Sequence, residues 1–184
     1  MNDSKLLADP DLKNMYDKML EYLADGDMAE KRLVNRIERL RLRYPETKRY
    51  DRYTSDTAWQ LIPLLRENGY INEERYAQRL FDSLKDKKDG LRLIRRKMLR
   101  RDIRPEIVGQ ICSTFEGSGS EQDLSKIVAA TTAKFLSLTE KYGSDPIKKY
   151  QIRSKIYAWL AMRGYGVEES ATIWQKIDFH AKKD

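Results

Sequence analysis

The sequence predicts an all-α protein, an elongated array of three tandem three-helix repeats. Three observations predict it. Apolar residues recur at helical spacing along nearly the whole chain, no stretch alternates cleanly enough for a sheet, and one helix–turn–helix pattern returns at fixed spacing.

Leu12, Met15, Met19, Tyr22 and Leu23 share one helical face before Asp25-Gly26-Asp27 interrupts. Ala29, Leu33, Ile37 and Leu40 form a second stripe, stopped near Tyr44-Pro45 because proline disfavours helix in the residue before it. Residues 45–54 read as a polar, tyrosine-rich connection. A third helix is expected over Asp56 to Asn68, with Trp59, Ile62 and Leu65 inward, Pro63 inside it and Gly69 closing it. A fourth runs from Glu73 to about Lys85 on Tyr76, Ala77, Leu80, Phe81 and Leu84. Gly90 opens the fifth, whose inward residues are Leu91, Ile94 and Met98.

Pro105 suits the first turn of a sixth helix carrying Ile107, Val108, Ile111, Cys112 and Phe115. The Gly117-Ser118-Gly119-Ser120 run reads as a flexible joint. Leu124 to Tyr142 gives a long seventh helix. Asp145-Pro146, a cap and first-turn pair, starts the eighth, lined by Ile152, Ile156, Trp159 and Leu160 as far as Gly164. The ninth spans Val167 to about Phe179. Residues 94–106 and 156–168 align as a helix, a tight turn and a second helix, with Arg101-Asp102-Ile103 opposite Arg163-Gly164-Tyr165. The resulting division is a tail over 1–10, repeats over 11–69 and 70–116, the joint over 117–120, a third repeat over 121–179 and a tail over 180–184.

Composition narrows the function. No apolar run approaches the roughly 20 residues of a membrane span, and the opening residues lack a signal peptide's apolar stretch, so the expected location is the cytoplasm. A lone cysteine, Cys112, suits a reducing compartment and reads as a small core residue. A lone histidine, His180, excludes His-cluster metal sites and most triad chemistry. Nucleotide-binding glycine fingerprints are absent, and no cofactor is expected. Glu73, Glu74 and Asp82 read as exposed carboxylates near Arg75 and Arg79, with nothing to mark them for metal or acid–base work. The chain is therefore read as a binding protein rather than an enzyme.

Charge is segregated. Among 184 residues, 36 Lys+Arg face 29 Asp+Glu, for a net of +7. Residues 28–44 carry six cations against Glu30 and Glu38, residues 90–104 seven against Asp102, and residues 146–163 five against none. These stretches hold +4, +6 and +5, which leaves −8 for the rest. Each is the second helix of a repeat. Like charges along one helix face repel, so folding alone gives no reason to gather them. Stacked repeats can join them into one basic stripe that meets a polyanion, either nucleic acid or an acidic protein groove. The candidate contact residues are Arg92, Arg95, Arg96 and Arg100, with Lys148, Lys149 and Arg153 as the third-repeat counterpart and Arg36 and Arg39 in the first. Lys48-Arg49-Tyr50-Asp51-Arg52-Tyr53 interleaves cations and rings as single-strand binding surfaces do, but is read here as a loop whose tyrosines pack on adjacent helices.

Gly69-Tyr70-Ile71-Asn72-Glu73-Glu74-Arg75-Tyr76-Ala77 resembles the segment that opens the middle repeat of the RecX family, bacterial regulators of the RecA recombinase. The resemblance continues through Gly90, Arg92, Ile94, Met98 and Ile103, resumes at Lys141-Tyr142-Gly143, and closes with Arg163-Gly164-Tyr165, Glu168 and Ile173-Trp174. It implies an all-helical chain of three repeats that acts as a monomer; members of the family bind RecA and its nucleoprotein filament, lie in the filament groove, and restrain strand exchange, ATP hydrolysis and filament extension. Many bind single- or double-stranded DNA with little sequence preference. The chain departs from the family pattern in places. Gly26, Ala29 and Arg32-Leu33 stand where the first repeat usually reads Arg, Ser and Glu-Leu, Lys97 replaces a Glu, and Asp102 replaces a turn Gly. The expected function is a non-enzymatic modulator, an inhibitor, of RecA filaments. The alternative is a sequence-independent DNA-binding protein that acts without a recombinase.

Overall fold

The computed structural model describes residues 7–118, 121–143 and 145–181, with side chains described throughout except at 116–118, 121–123, 146–150 and 178–181. Among the described residues there are nine α-helices and no strand: α1 (Pro10–Ala24), α2 (Glu30–Arg43), α3 (Ser55–Glu67), α4 (Glu73–Asp86), α5 (Leu91–Leu99), α6 (Pro105–Ser118), α7 (Glu121–Tyr142), α8 (Pro146–Met162) and α9 (Val167–Ala181). A 3-10 turn at Lys48–Tyr50 interrupts the connection between α2 and α3.

Local chemistry sets the helix ends. Asp9 caps α1, its carboxylate accepting the Asp11 N–H at 2.9 Å, and Pro10 occupies the first helical position, where no N–H is required. The hydroxyl of Thr54 accepts the Thr57 N–H at 3.2 Å ahead of α3, and the Asn72 side chain accepts the Arg75 N–H at 2.7 Å ahead of α4. Pro63 lies on the exposed face of α3 without ending it. The turn after α5 places Asp102 at φ +62°, and the aligned turn after α8 places Gly164 at φ +89°, so the two turns share a left-handed residue.

The chain forms two compact units, Met1–Leu80 with Met98–Val108, and Phe81–Lys97 with Gly109–Asp184. In the first, α1, α2 and α3 pack on one another around Met15, Met19, Leu33, Ile37, Leu61 and Leu65, all fully buried. Burying each such side chain is worth about 1.5–3 kcal/mol, which makes this packing the main term holding the three helices together. In the second, α7, α8 and α9 pack on one another around Ile127, Ile152, Ile156, Leu160, Ile173 and Ile177.

Several expectations require correction. Trp59 is 40% exposed, because the inward face of α3 is centred on Ala58, Leu61, Ile62 and Leu65 and leaves position 59 at its margin. Leu91 is only half-buried, while Ile94 and Met98 are buried as expected. Gly117 and Ser118 belong to α6 rather than to a joint, and Gly119 and Ser120 lie outside the described residues, as does the side chain of His180. Glu73 is buried rather than exposed. Cys112 is buried, and Tyr53 is fully buried against Tyr50 with ring centroids 5.0 Å apart, so the tyrosine-rich connection packs inward.

Candidate functional site

The basic helices present two kinds of cation. On α5 the apolar face carries Ile94 and Met98 inward, and a helical turn of about 3.6 residues then turns Arg92, Arg95 and Arg96 outward, with Arg100 following just beyond the helix end. All four are exposed, and among the described residues none makes an ion pair. The Arg92 guanidinium rests against the turn ahead of α9, where a Cβ on Gly166 would come within 3.1 Å of its Nη2.

Other cations of the same segments are already engaged. Lys97 donates to the Asp89 carboxylate at 2.5 Å. Arg104 binds Glu73 and Glu74 through Nε and Nη2, at 3.2 and 2.9 Å. Arg163 donates to the Lys87 carbonyl at 2.8 Å and lies 4.7 Å above the Trp159 ring. These three therefore belong to the internal architecture, and the charge left for a partner is smaller than the sequence count implied.

On α2, Arg39 is exposed and Arg36 is half-buried, with its guanidinium 4.1 Å from the centroid of the Tyr22 ring. Arg36 shares a recess with Arg32 of the same helix and with Arg101 from the turn after α5. The fold thus brings cations from two distant parts of the sequence together within the first unit. On α8, Arg153 is exposed and lies over Tyr157 and Trp174, at 5.4 and 5.7 Å from their ring centroids. The side chains of Lys148 and Lys149 lie outside the described residues.

Sequence reasoning missed two buried carboxylates that organise the first unit. Glu30, 2% exposed, is bound by the Arg66 guanidinium through both Nε and Nη2. Glu73, 1% exposed, accepts the Arg104 backbone N–H at 2.8 Å as well as its guanidinium. Burial raises the Glu73 carboxyl above its ordinary value, the Arg104 bonds oppose that shift, and the charge of Glu30 adds to it. Only the spacing of Glu73 and Glu74 from Arg104 could have signalled the pairing, and helical periodicity does not reach that far. Among the described residues no group of three His, Cys, Asp or Glu side chains is arranged to hold a metal ion, and no helix is long and apolar enough to cross a membrane.

No family model matches the chain. It is 26% identical over 129 residues to a RecX regulatory protein of Trichlorobacter lovleyi, a match that covers 68% of this chain and 77% of the relative. Its fold is similar to the crystal structure of RecX from Lactobacillus salivarius, with a TM-score of 0.70 at 18% identity over 92% of this chain and 98% of the other. A second crystal structure of a RecX regulatory protein superposes with a TM-score of 0.65 at 14% identity, covering 97% of this chain and 78% of that one. The helical fold is the one these proteins share.

Proposed function

From a chain that is RecX-like in both sequence and fold, we propose a non-enzymatic regulator of the RecA recombinase that binds the nucleoprotein filament and limits its extension, strand exchange and ATP hydrolysis. The observation that carries this reading is the exposed row Arg92, Arg95, Arg96 and Arg100 on and beside α5, which makes no ion pair among the described residues. Exposed cations held without acidic partners repel one another and gain little from the fold, whereas a polyanion or an acidic protein groove offsets that repulsion. Arg153 on α8 and Arg36 and Arg39 on α2 supply further cations to the same partner, with Lys148 and Lys149 as the additional candidates of α8.

Such a regulator needs no covalent step. A protein that binds one state of the filament more tightly than another shifts assembly by that difference in affinity alone. A tenfold preference corresponds to about 1.4 kcal/mol, within reach of a few charge-assisted hydrogen bonds. The chain acts as a cytoplasmic monomer in this reading, with DNA contacted through phosphates and without strong sequence preference.

Titration against bare and RecA-coated single-stranded DNA tests the proposal. Tighter binding to the coated strand is the expected result. Equal affinity for both favours instead a DNA-binding protein that acts without a recombinase, and metal-dependent strand cleavage would contradict the non-enzymatic reading.

A further inference from the structure

We infer that Arg32, Arg36 and Arg101 form a seat for one phosphate-type oxyanion, supplied by the phosphodiester of a nucleic-acid strand. The inference deepens the proposed function and rests on it for the nature of the polyanion, but it concerns residues off the α5 row. The three arginines line a recess of about 260 Å3 in the first unit, together with Tyr76, Asp25 and Asp27.

Charge in the recess is not balanced from within. Asp27 is paired with Arg79, which leaves the exposed Asp25 as the remaining carboxylate against three guanidinium groups. Among the described residues neither Arg32 nor Arg101 makes an ion pair, and both are exposed. Cations that line one recess repel, so an anion there relieves a cost that folding imposes.

The geometry selects the anion. Arg32 and Arg36 approach along α2, while Arg101 approaches from the turn after α5. A planar carboxylate is satisfied by one bidentate fork, whereas a tetrahedral phosphate presents oxygens to donors from several directions. Arg36 is held in place by its stacking on Tyr22, so less side-chain freedom is lost when the anion arrives.

The test is fluorescence anisotropy of a labelled oligothymidylate of about 20 nucleotides, with the wild-type protein and the R32Q/R101Q variant. Both substitutions are at exposed positions, and circular dichroism verifies the fold. The expected result is binding weakened about tenfold, with a log affinity against log salt slope shallower by about 0.7, the loss of one single-strand phosphate contact. Inorganic phosphate, added to the wild type at constant ionic strength, distinguishes the sources. The strand assignment predicts no displacement at millimolar phosphate, and displacement down to the level of the variant would overturn it in favour of a free anion. Unchanged affinity and slope in R32Q/R101Q would overturn the seat itself. An unaltered RecA ATPase on adding wild-type protein would sink the proposed function while leaving the oligothymidylate result to decide the seat.

Discussion

The Glu73 carboxylate accepts the backbone N–H of Arg104 at 2.8 Å, tying the first turn of α4 to the residue ahead of α6. Because Glu73 is buried, this bond also fixes the turn that carries Arg101 and Asp102. Replacing Glu73 by Ala leaves the Arg104 backbone N–H and Nε without their acceptor, while Nη2 keeps Glu74, at an expected cost of about 2–4 kcal/mol in urea denaturation.

The pH dependence of that contribution has a definite sign. Burial holds the folded-state value of Glu73 above its unfolded one, so its stabilising term is present at low pH and is lost as the pH rises through the folded value. Glu73→Gln removes the titration. The stability of the wild type relative to E73Q should therefore increase as the pH falls from about 7 towards about 4, which denaturation curves at a series of pH values measure. A constant difference would contradict the assignment.

Arg66 and Glu30 form a second buried carboxylate pair, and a double-mutant cycle isolates it. R66A strands the Glu30 charge in a site only 2% exposed, so it should cost more than E30Q/R66A. A coupling of about 1–3 kcal/mol is expected, and simple additivity of the two single substitutions would rule it out.

The left-handed turns offer a test on the backbone. Asp102→Gly relieves an L-residue at φ +62° and should stabilise the protein by about 0.5–1 kcal/mol. Gly164→Ala should destabilise it by more than about 2 kcal/mol, since its φ is +89° and an added Cβ would collide with the backbone and Cβ of Leu93. Thermal melts of the two variants should shift in opposite directions.

These residues also show what a reader of the sequence could and could not see. The correspondence of Asp102 with Gly164 was legible, because a repeated helix–turn–helix spacing imposes the same turn on both. Outward arginines on α5 were legible too, since Ile94 and Met98 define the opposite face. Contacts between segments were not. Gly90 donates its N–H to the Arg163 carbonyl at 2.7 Å, and Arg104 neutralises a glutamate 31 residues earlier. Helical periodicity encodes which face is apolar, not which distant partner meets it. For the same reason the spacing of Trp59 to Ile62 and Leu65 points inward, although the buried arc of α3 is centred elsewhere.

Charge reversal on α5 should separate binding from folding. Arg95 and Arg96 are exposed and, among the described residues, without an ion pair, so R95E/R96E should keep the wild-type circular dichroism spectrum and melt within about 0.5 kcal/mol of the wild type. Affinity for RecA-coated DNA should fall at least about tenfold and lose part of its salt dependence.

The most direct measurement is the DNA-dependent ATPase of RecA as wild-type protein or R95E/R96E is titrated in. Progressive loss of ATP turnover with the wild type, and a titration displaced to much higher concentration with the variant, is the predicted result. Equal potency of the two folded proteins would contradict a regulator that acts through the arginines of α5.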